Sequence, residues 1–406
     1  MKIRNLLIEN YKVFDKLELD FTDKNRNTIN EIIIAGLNGC GKTTIFELIK
    51  DILSGKVFND VASNFVIGVE YDFSSLKWYS QFLRIIEKNR NLFDCEIYIK
   101  ESNLKLYYSH LGKEKPSITI FQMFMTFYNE TQKEFKHKTR IIYRYSHDKV
   151  KIKRTKSFND IVQEVSFNTH KNDMKNLIMK PIFNQIFKNR NVPPQQIIES
   201  EIFNLTKIFE NIKLNSRFID IESEELIFSS INNQRIKFED LSSGEKFLYF
   251  MGFFLSKLNI NNSIIIIDEP EDSLHPSWQK QIVKFYSNIG EENQIFLATH
   301  SPHIIGSVPS RNVFLLKSQN NQIVVSQPKY SQGHSIQYVL SEIMETDYRD
   351  TYVNDIVSKY LKLIEKGLHE NAEGKELWKE IEQLDPNSDE RQLINLSLRR
   401  YKSIGK

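Results

Sequence analysis

The chain has 406 residues, 40% of them hydrophobic and 26% charged, with a formal net charge of +3. That balance excludes a disordered or fibrous chain and, at roughly 150 residues per domain, predicts two or three globular units. So small a net charge excludes a uniformly basic nucleic-acid binder, and two cysteines exclude a disulfide framework; with no apolar run near the roughly 18 residues of a membrane span, a cytoplasmic, unanchored protein is expected.

Residues 2–9 and 16–21 alternate apolar and polar side chains and predict a two-stranded ribbon turning near Lys12 to Asp15. Lys12 reads as a solvated lysine in preference to a phosphate contact. The run Glu31-Ile32-Ile33-Ile34-Ala35 predicts a buried strand and feeds Gly36-Leu37-Asn38-Gly39-Cys40-Gly41-Lys42-Thr43, the G-x-x-x-x-G-K-[ST] spacing of a phosphate loop. In such a loop the backbone N–H groups around Gly36, Asn38, Gly39, Cys40 and Gly41 close on phosphate oxygens. Lys42 reaches the β- and γ-phosphates, and Thr43 offers a hydroxyl to Mg²⁺, with Thr44 following it in the first helical turn. The helix opening at Lys42 adds its positive end and carries Ile45, Leu48, Ile49 and Ile52 on one side.

Between about 65 and 240 short β-like runs (65–73, 95–100, 104–110, 140–145) give way to helical stretches near 170–190 and 197–213, separated by Pro193-Pro194. Sustained heptads are missing, so no long coiled-coil arm is expected. Within this span, Lys133 to Lys156 holds ten Lys or Arg against two acids, interleaved with Phe135, Tyr143 and Tyr145. Such a segment is either a candidate nucleic-acid contact, pairing cations with phosphates and aromatics with bases, or the solvated face of a β-hairpin.

Leu241-Ser242-Ser243-Gly244-Glu245 opens an apolar helix. The four isoleucines 264–267 then run into Asp268-Glu269-Pro270, reading as a buried parallel strand that delivers two carboxylates to its end. Asp268 is placed there for Mg²⁺ and Glu269 for polarising the attacking water. A further buried strand, 294–299, ends at His300, which can hydrogen-bond a γ-phosphate or hold the water. Beyond residue 346 amphipathic helices are expected, with Tyr352, Ile356, Tyr360, Leu363 and Ile364 on one stripe and Leu377, Trp378, Ile381 and Leu384 on another, punctuated by Gly374 and Pro386.

Taken together, the Gly36–Thr43 loop, the Leu241–Glu245 segment, Ile264–Glu269, Ser273-Leu274-His275-Pro276 and His300 resemble the ABC-type ATPase heads of the SMC, RecF and overcoming-lysogenization-defect group. The resemblance implies an α/β head of P-loop type with a mixed sheet and an N-terminal antiparallel ribbon, formed by residues 1–70 and 225–330. An inserted α+β lobe would span 71–224 and a C-terminal helical segment 331–406. It further implies ATP and Mg²⁺ as cofactors and a homodimer paired head to tail, in which Ser242, Ser243, Gly244 and Glu245 of one head meet the ATP held by the other. Ser243 stands where many members have glycine, and the Mg²⁺-sensing loop residue is left open among Tyr145, Ser146 and Asp148. The wording of 268–279 and 298–303, with that of 330–344, is similar to bacterial defence ATPases of the Septu and retron-associated kind, which implies a separately encoded nuclease partner. A DNA-repair or chromosome-binding ATPase and a slowly hydrolysing nucleotide-sensing scaffold are the competing readings.

Overall fold

Runs of β-branched residues buried on both faces build the centre of this molecule, and alternating runs build its flank. The computed structural model describes residues 2–54, 66–72, 79–88, 96–100, 103–109, 141–144, 162–164, 171–210, 212–222, 225–258, 260–272, 274–346 and 351–403. They form two compact units, Met1–Val339 and Leu340–Lys406.

In the first unit β1 (Lys2–Tyr11) and β2 (Phe14–Asp20) pair antiparallel, with Leu6 opposite Leu19 and Ile8 opposite Leu17. This is the expected ribbon, turned by Lys12 at φ 51°. Lys12 itself pairs with Glu47 at 3.2 Å on a half-exposed surface, as the solvated reading anticipates. With β4 (Val66–Asp72), β5 (Glu96–Lys100) and β6 (Asn103–Ser109) the ribbon makes a five-stranded antiparallel sheet in the order β2-β1-β4-β6-β5.

The second sheet has seven strands in the order β15-β14-β3-β13-β12-β7-β8. They are β3 (Glu31–Gly36), β7 (Ile141–Arg144), β8 (Val162–Glu164), β12 (Ile264–Asp268), β13 (Gln294–Thr299), β14 (Val313–Gln319) and β15 (Gln322–Ser326). All neighbours from β14 to β8 run parallel, and only the edge strand β15 is antiparallel. Every residue of β12 and β13 is buried, which is why these strands read as unbroken apolar runs. Their register sets Asp268 beside Ala298 and Thr299 beside Ala35, so β3, β12 and β13 finish on one edge of the sheet.

Helix α1 (Lys42–Ser54) shares one core with both sheets. Ile45, Leu48, Ile49 and Ile52 are buried there as expected. Phe21 meets Phe296 and Phe314 edge-on with ring centroids 5.3 and 5.2 Å apart, joining the two sheets through aromatic contacts.

A second core lies under the antiparallel strands β9 (Ser216–Glu222), β10 (Glu225–Ser230) and β11 (Arg235–Lys237). Helices in the regions expected from sequence cover it, at Lys171–Lys188 and Pro194–Thr206, together with Ser243–Leu258. Phe218, Phe228, Tyr249 and Phe253 interlock within it, with Phe228 and Tyr249 4.7 Å apart.

Among the described residues of 71–224, β5 and β6 pair into the ribbon's sheet and β7 and β8 into the parallel sheet. Local pattern identifies a strand without naming its long-range partner, so the sequence locates β5, β6 and β7 but not their sheets, and the three-residue β8 is too short to be read from pattern. The basic segment 133–156 lies outside the described residues except for Ile141–Arg144, as do Tyr145, Ser146 and Asp148.

The described residues of the second unit include three α-helices, Thr351–Glu365, Ala372–Ile381 and Asp389–Ser403. Ile356, Tyr360, Leu363, Ile364 and Ile381 are buried as the stripes require, while Tyr352 is 62% exposed. Gly374 does not separate helices: it lies in the first turn of Ala372–Ile381, its N–H donating to Asn371 Oδ1 at 2.7 Å. Among the described residues no helix is long and apolar enough to cross a membrane.

Candidate nucleotide-binding site

The chain turns sharply after β3 because three glycines there adopt positive φ: Gly36 at 151°, Gly39 at 82° and Gly41 at 91°. A Cβ on Gly41 would come within 2.5 Å of Phe14 Cζ, whereas one on Gly39 would meet nothing within 4 Å. The loop is therefore wedged at its base and open at its crest, where Leu37, Asn38 and Gly39 are exposed. Gly41→Ala combines a disfavoured backbone, costing about 1–3 kcal/mol, with a clash against a buried ring. It is expected to lower the melting temperature and abolish nucleotide binding together, as differential scanning fluorimetry with and without ATP would show.

Lys42 is buried, and its ammonium donates to the carbonyls of Gly36 at 2.8 Å and Leu37 at 3.1 Å. It thus lies folded back on the loop that phosphate would fill. Cys40 is buried, and burial pushes its thiol up, so it serves the loop by packing and not as a nucleophile. Thr43 Oγ1 donates to Asp268 Oδ2 at 2.8 Å, which joins the start of α1 to the end of β12. Thr44, half-buried, follows on α1. Asp268 is 3% exposed and its carboxyl is raised to about 6, chiefly by burial and further by the Glu269 charge, against the opposing Thr43 hydrogen bond.

This oxygen pair suits a hard divalent ion. A hydroxyl and a carboxylate at the loop's helix end are the usual protein share of a Mg²⁺ site whose remaining ligands are phosphate and water. Among the described residues no group of three or more His, Cys, Asp or Glu is placed to hold a metal ion.

Glu269 adopts the left-handed region at φ 48°, a strained conformation for a side-chain-bearing residue, while its N–H donates to Ala298 O at 2.9 Å. Strain at the residue expected to polarise water is a feature that sequence alone could not show. His300 Nδ1 lies 3.8 Å from Glu269 Oε1 and 3.2 Å from Glu271 Oε1, with the histidine side chain 48% exposed. Thus Gly36, Lys42, Thr43, Asp268, Glu269 and His300 all come to one edge of the parallel sheet, as the spacing of the motifs predicts. Glu271 was missed as a participant; its signal was a third carboxylate in Asp268-Glu269-Pro270-Glu271.

The Leu241–Glu245 segment belongs to the other core. Ser242 Oγ accepts from Glu245 N at 3.3 Å and Glu245 Oε2 accepts from Ser242 N at 3.4 Å, a capping box at the start of the long helix Ser243–Leu258, and Ser242 Oγ also donates to Glu245 Oε2 at 2.9 Å. The other Glu245 oxygen accepts from Ser216 Oγ at 2.7 Å, and Tyr249 donates its hydroxyl to Ser216 O at 2.6 Å. Ser242 and Ser243 are exposed, whereas Gly244 and Glu245 are buried. Ser242→Ala should cost about 1 kcal/mol of stability through loss of the cap. Urea titration measures this directly, and a change well under half that value would mean that Glu245 holds the turn through Ser216 alone.

A family profile described as AAA domain, putative AbiEii toxin, Type IV TA system matches residues 32–306. The retron Ec83 probable ATPase of Escherichia coli is 21% identical over 100% of this chain and 87% of its own length. Septu protein PtuA of Bacillus thuringiensis is 25% identical over 98% of both chains. The SMC head domain from Thermotoga maritima aligns at 14% identity and a TM-score of 0.42, covering 80% of this chain and 99% of that one. With the phosphate loop, both carboxylates and His300 all inside the matched span of well over half its length, the chain belongs to this AAA-domain family and is an ATPase.

Proposed function

We propose that the chain is the ATP-driven switch of a bacterial antiviral defence system, in which two copies pair head to tail around two ATP molecules and control a separately encoded nuclease. The single observation that carries this reading is the separation of the two halves of the nucleotide machinery. The phosphate loop, Asp268, Glu269 and His300 share one sheet edge. Ser242, Ser243, Gly244 and Glu245 are held in a second core through Ser216 and Tyr249, with the two serines exposed. An exposed helix start, rich in N–H donors, is suited to phosphate presented by another copy.

Within each composite site Lys42 would exchange the Gly36 and Leu37 carbonyls for β- and γ-phosphate oxygens. Thr43 and Asp268 would hold Mg²⁺, which when bound neutralises charge on those oxygens. Glu269 is suited to accept a proton from the attacking water, and His300 to orient that water or the γ-phosphate. Ser243 and Gly244 of the second copy would close the site over the γ-phosphate. The defence assignment draws support from the Septu and retron relatives, both matched along nearly the whole chain.

Co-expression with the neighbouring open reading frames, followed by a search for a co-purifying nuclease, tests this reading. A complex whose DNA cleavage changes with ATP and is altered by Lys42→Ala supports it. A chain that co-purifies with no nuclease, yet binds DNA in a salt-dependent way lost on reversing Lys151, Lys153 and Arg154, would support the chromosome-binding alternative.

A further inference from the structure

Glu271 is a buried carboxylate at the catalytic edge with no assigned part in holding phosphate or metal. Its side chain is only 5% exposed, yet it stands three residues beyond Asp268 at the catalytic edge of the sheet. One oxygen, Oε1, gathers three groups from the end of β13. It accepts from Thr299 Oγ1 at 2.7 Å and from His300 N at 2.8 Å, and it lies 3.2 Å from His300 Nδ1. The other oxygen, Oε2, is buried with no hydrogen-bond partner among the described residues. The arrangement is braced from behind: Ser301 N donates to Thr299 Oγ1 at 2.9 Å, and Ser301 Oγ donates to Gln279 Oε1 at 2.7 Å.

For stability alone this is a poor use of a carboxylate, since a buried charge with an unpartnered oxygen is better replaced by an amide or an apolar group. Its value lies in what it does to the histidine. A carboxylate only accepts, so in its neutral form an imidazole whose Nδ1 lies 3.2 Å from that oxygen is favoured to carry its proton on Nδ1. Nε2, on the opposite side of the ring, is then a bare acceptor. A bare acceptor can take a hydrogen bond from water but cannot donate one to a phosphate oxygen.

We propose that Glu271 is a positioning residue for ATP hydrolysis, fixing both the main chain and the ring of His300 so that the neutral histidine presents Nε2 to the attacking water. This rests on the reading of His300 as part of the hydrolytic site, and it selects between the two roles open to that residue. Glu271 touches neither substrate nor metal; it acts through His300.

Steady-state ATP hydrolysis by the full chain provides the test, comparing wild type, Glu271→Ala, Glu271→Gln, His300→Ala and the double variant Glu271→Ala/His300→Ala. Glu271→Ala should lower kcat roughly 10- to 100-fold with KM for ATP within about threefold. Glu271→Gln keeps an acceptor oxygen and should stay within about threefold of wild type. In the His300→Ala background, Glu271→Ala should cost nothing more. If the double variant instead multiplies the two losses, or if Glu271→Ala raises KM at unchanged kcat, Glu271 does not act through His300. A His300→Ala enzyme with full kcat removes the reading of His300 itself, a separate outcome from that cycle. Should Glu271→Ala fail to fold, ¹⁵N-histidine spectra of the wild type at alkaline pH decide the matter, with the His300 signals assigned by their loss in His300→Ala. A ring protonated on Nδ1 is expected, and one protonated on Nε2 overturns the inference.

Discussion

Replacing Glu269 with Gln is expected to reduce kcat by roughly 10²- to 10⁴-fold while leaving ATP binding nearly unchanged, because it removes the group suited to accept the water's proton and little else. Gln has the same shape, so the left-handed turn at φ 48° and the bond from its N–H to Ala298 are retained. Lys42, Thr43 and Asp268 are untouched. A site that binds but does not turn over should accumulate in its closed form, so this variant is expected to run as a dimer with ATP and Mg²⁺ and as a monomer without them. Light scattering and a single-turnover assay on the same sample check both halves. A variant that hydrolyses ATP at a wild-type rate would remove Glu269 from the mechanism.

The second large effect runs in opposite directions for activity and stability. Asp268→Asn should abolish Mg²⁺-dependent turnover yet stabilise the nucleotide-free protein. In the folded chain the Asp268 carboxyl is raised from 3.8 to about 6, so the folded state holds its proton more tightly than the unfolded chain does. The stability tied to that proton is fully present below the unfolded value near 3.8 and is lost as pH rises through about 6. At pH 8 the wild type therefore carries a buried, ionised Asp268, and Asn relieves a penalty of about 3 kcal/mol while retaining an acceptor for Thr43. Denaturant titrations in chelator should show the variant to be more stable at pH 8, with the difference shrinking towards pH 4. Equal stability of the two proteins at pH 8 would mean that the site is already relaxed by water. Such a cost at the proposed Mg²⁺ position accords with a site shaped for an ion and not for the empty state.

Legibility in the sequence followed the range of the forces involved. The phosphate loop, the ends of β12 and β13 and the start of the Ser243–Leu258 helix were all readable, because each is fixed by residues adjacent in sequence: glycines at a turn, Ile-rich runs, a capping serine. The ribbon was readable for the same reason, through its alternation. Partnership at long range was not. β7 has the same local pattern whether it flanks β12 or sits in a separate lobe, and only the register with Ile264–Ile267 decides. Glu271 was overlooked because its meaning depends on Thr299 and His300, almost thirty positions away along the chain. The stripe beginning at Tyr352 showed the opposite error: its helix is amphipathic, but the first position falls past the end of the buried face.

The claim that one nucleotide site is built from two copies is tested most directly by mixing two inactive variants, Lys42→Ala and Ser243→Arg. In a head-to-tail pair formed from one of each, one site receives both defects and the other receives neither. The account predicts that equal mixing restores ATPase activity, to about a quarter of wild type if pairing is random and the sites act independently. If the mixture stays as inactive as its components, Ser243 serves its own chain and the composite site is wrong.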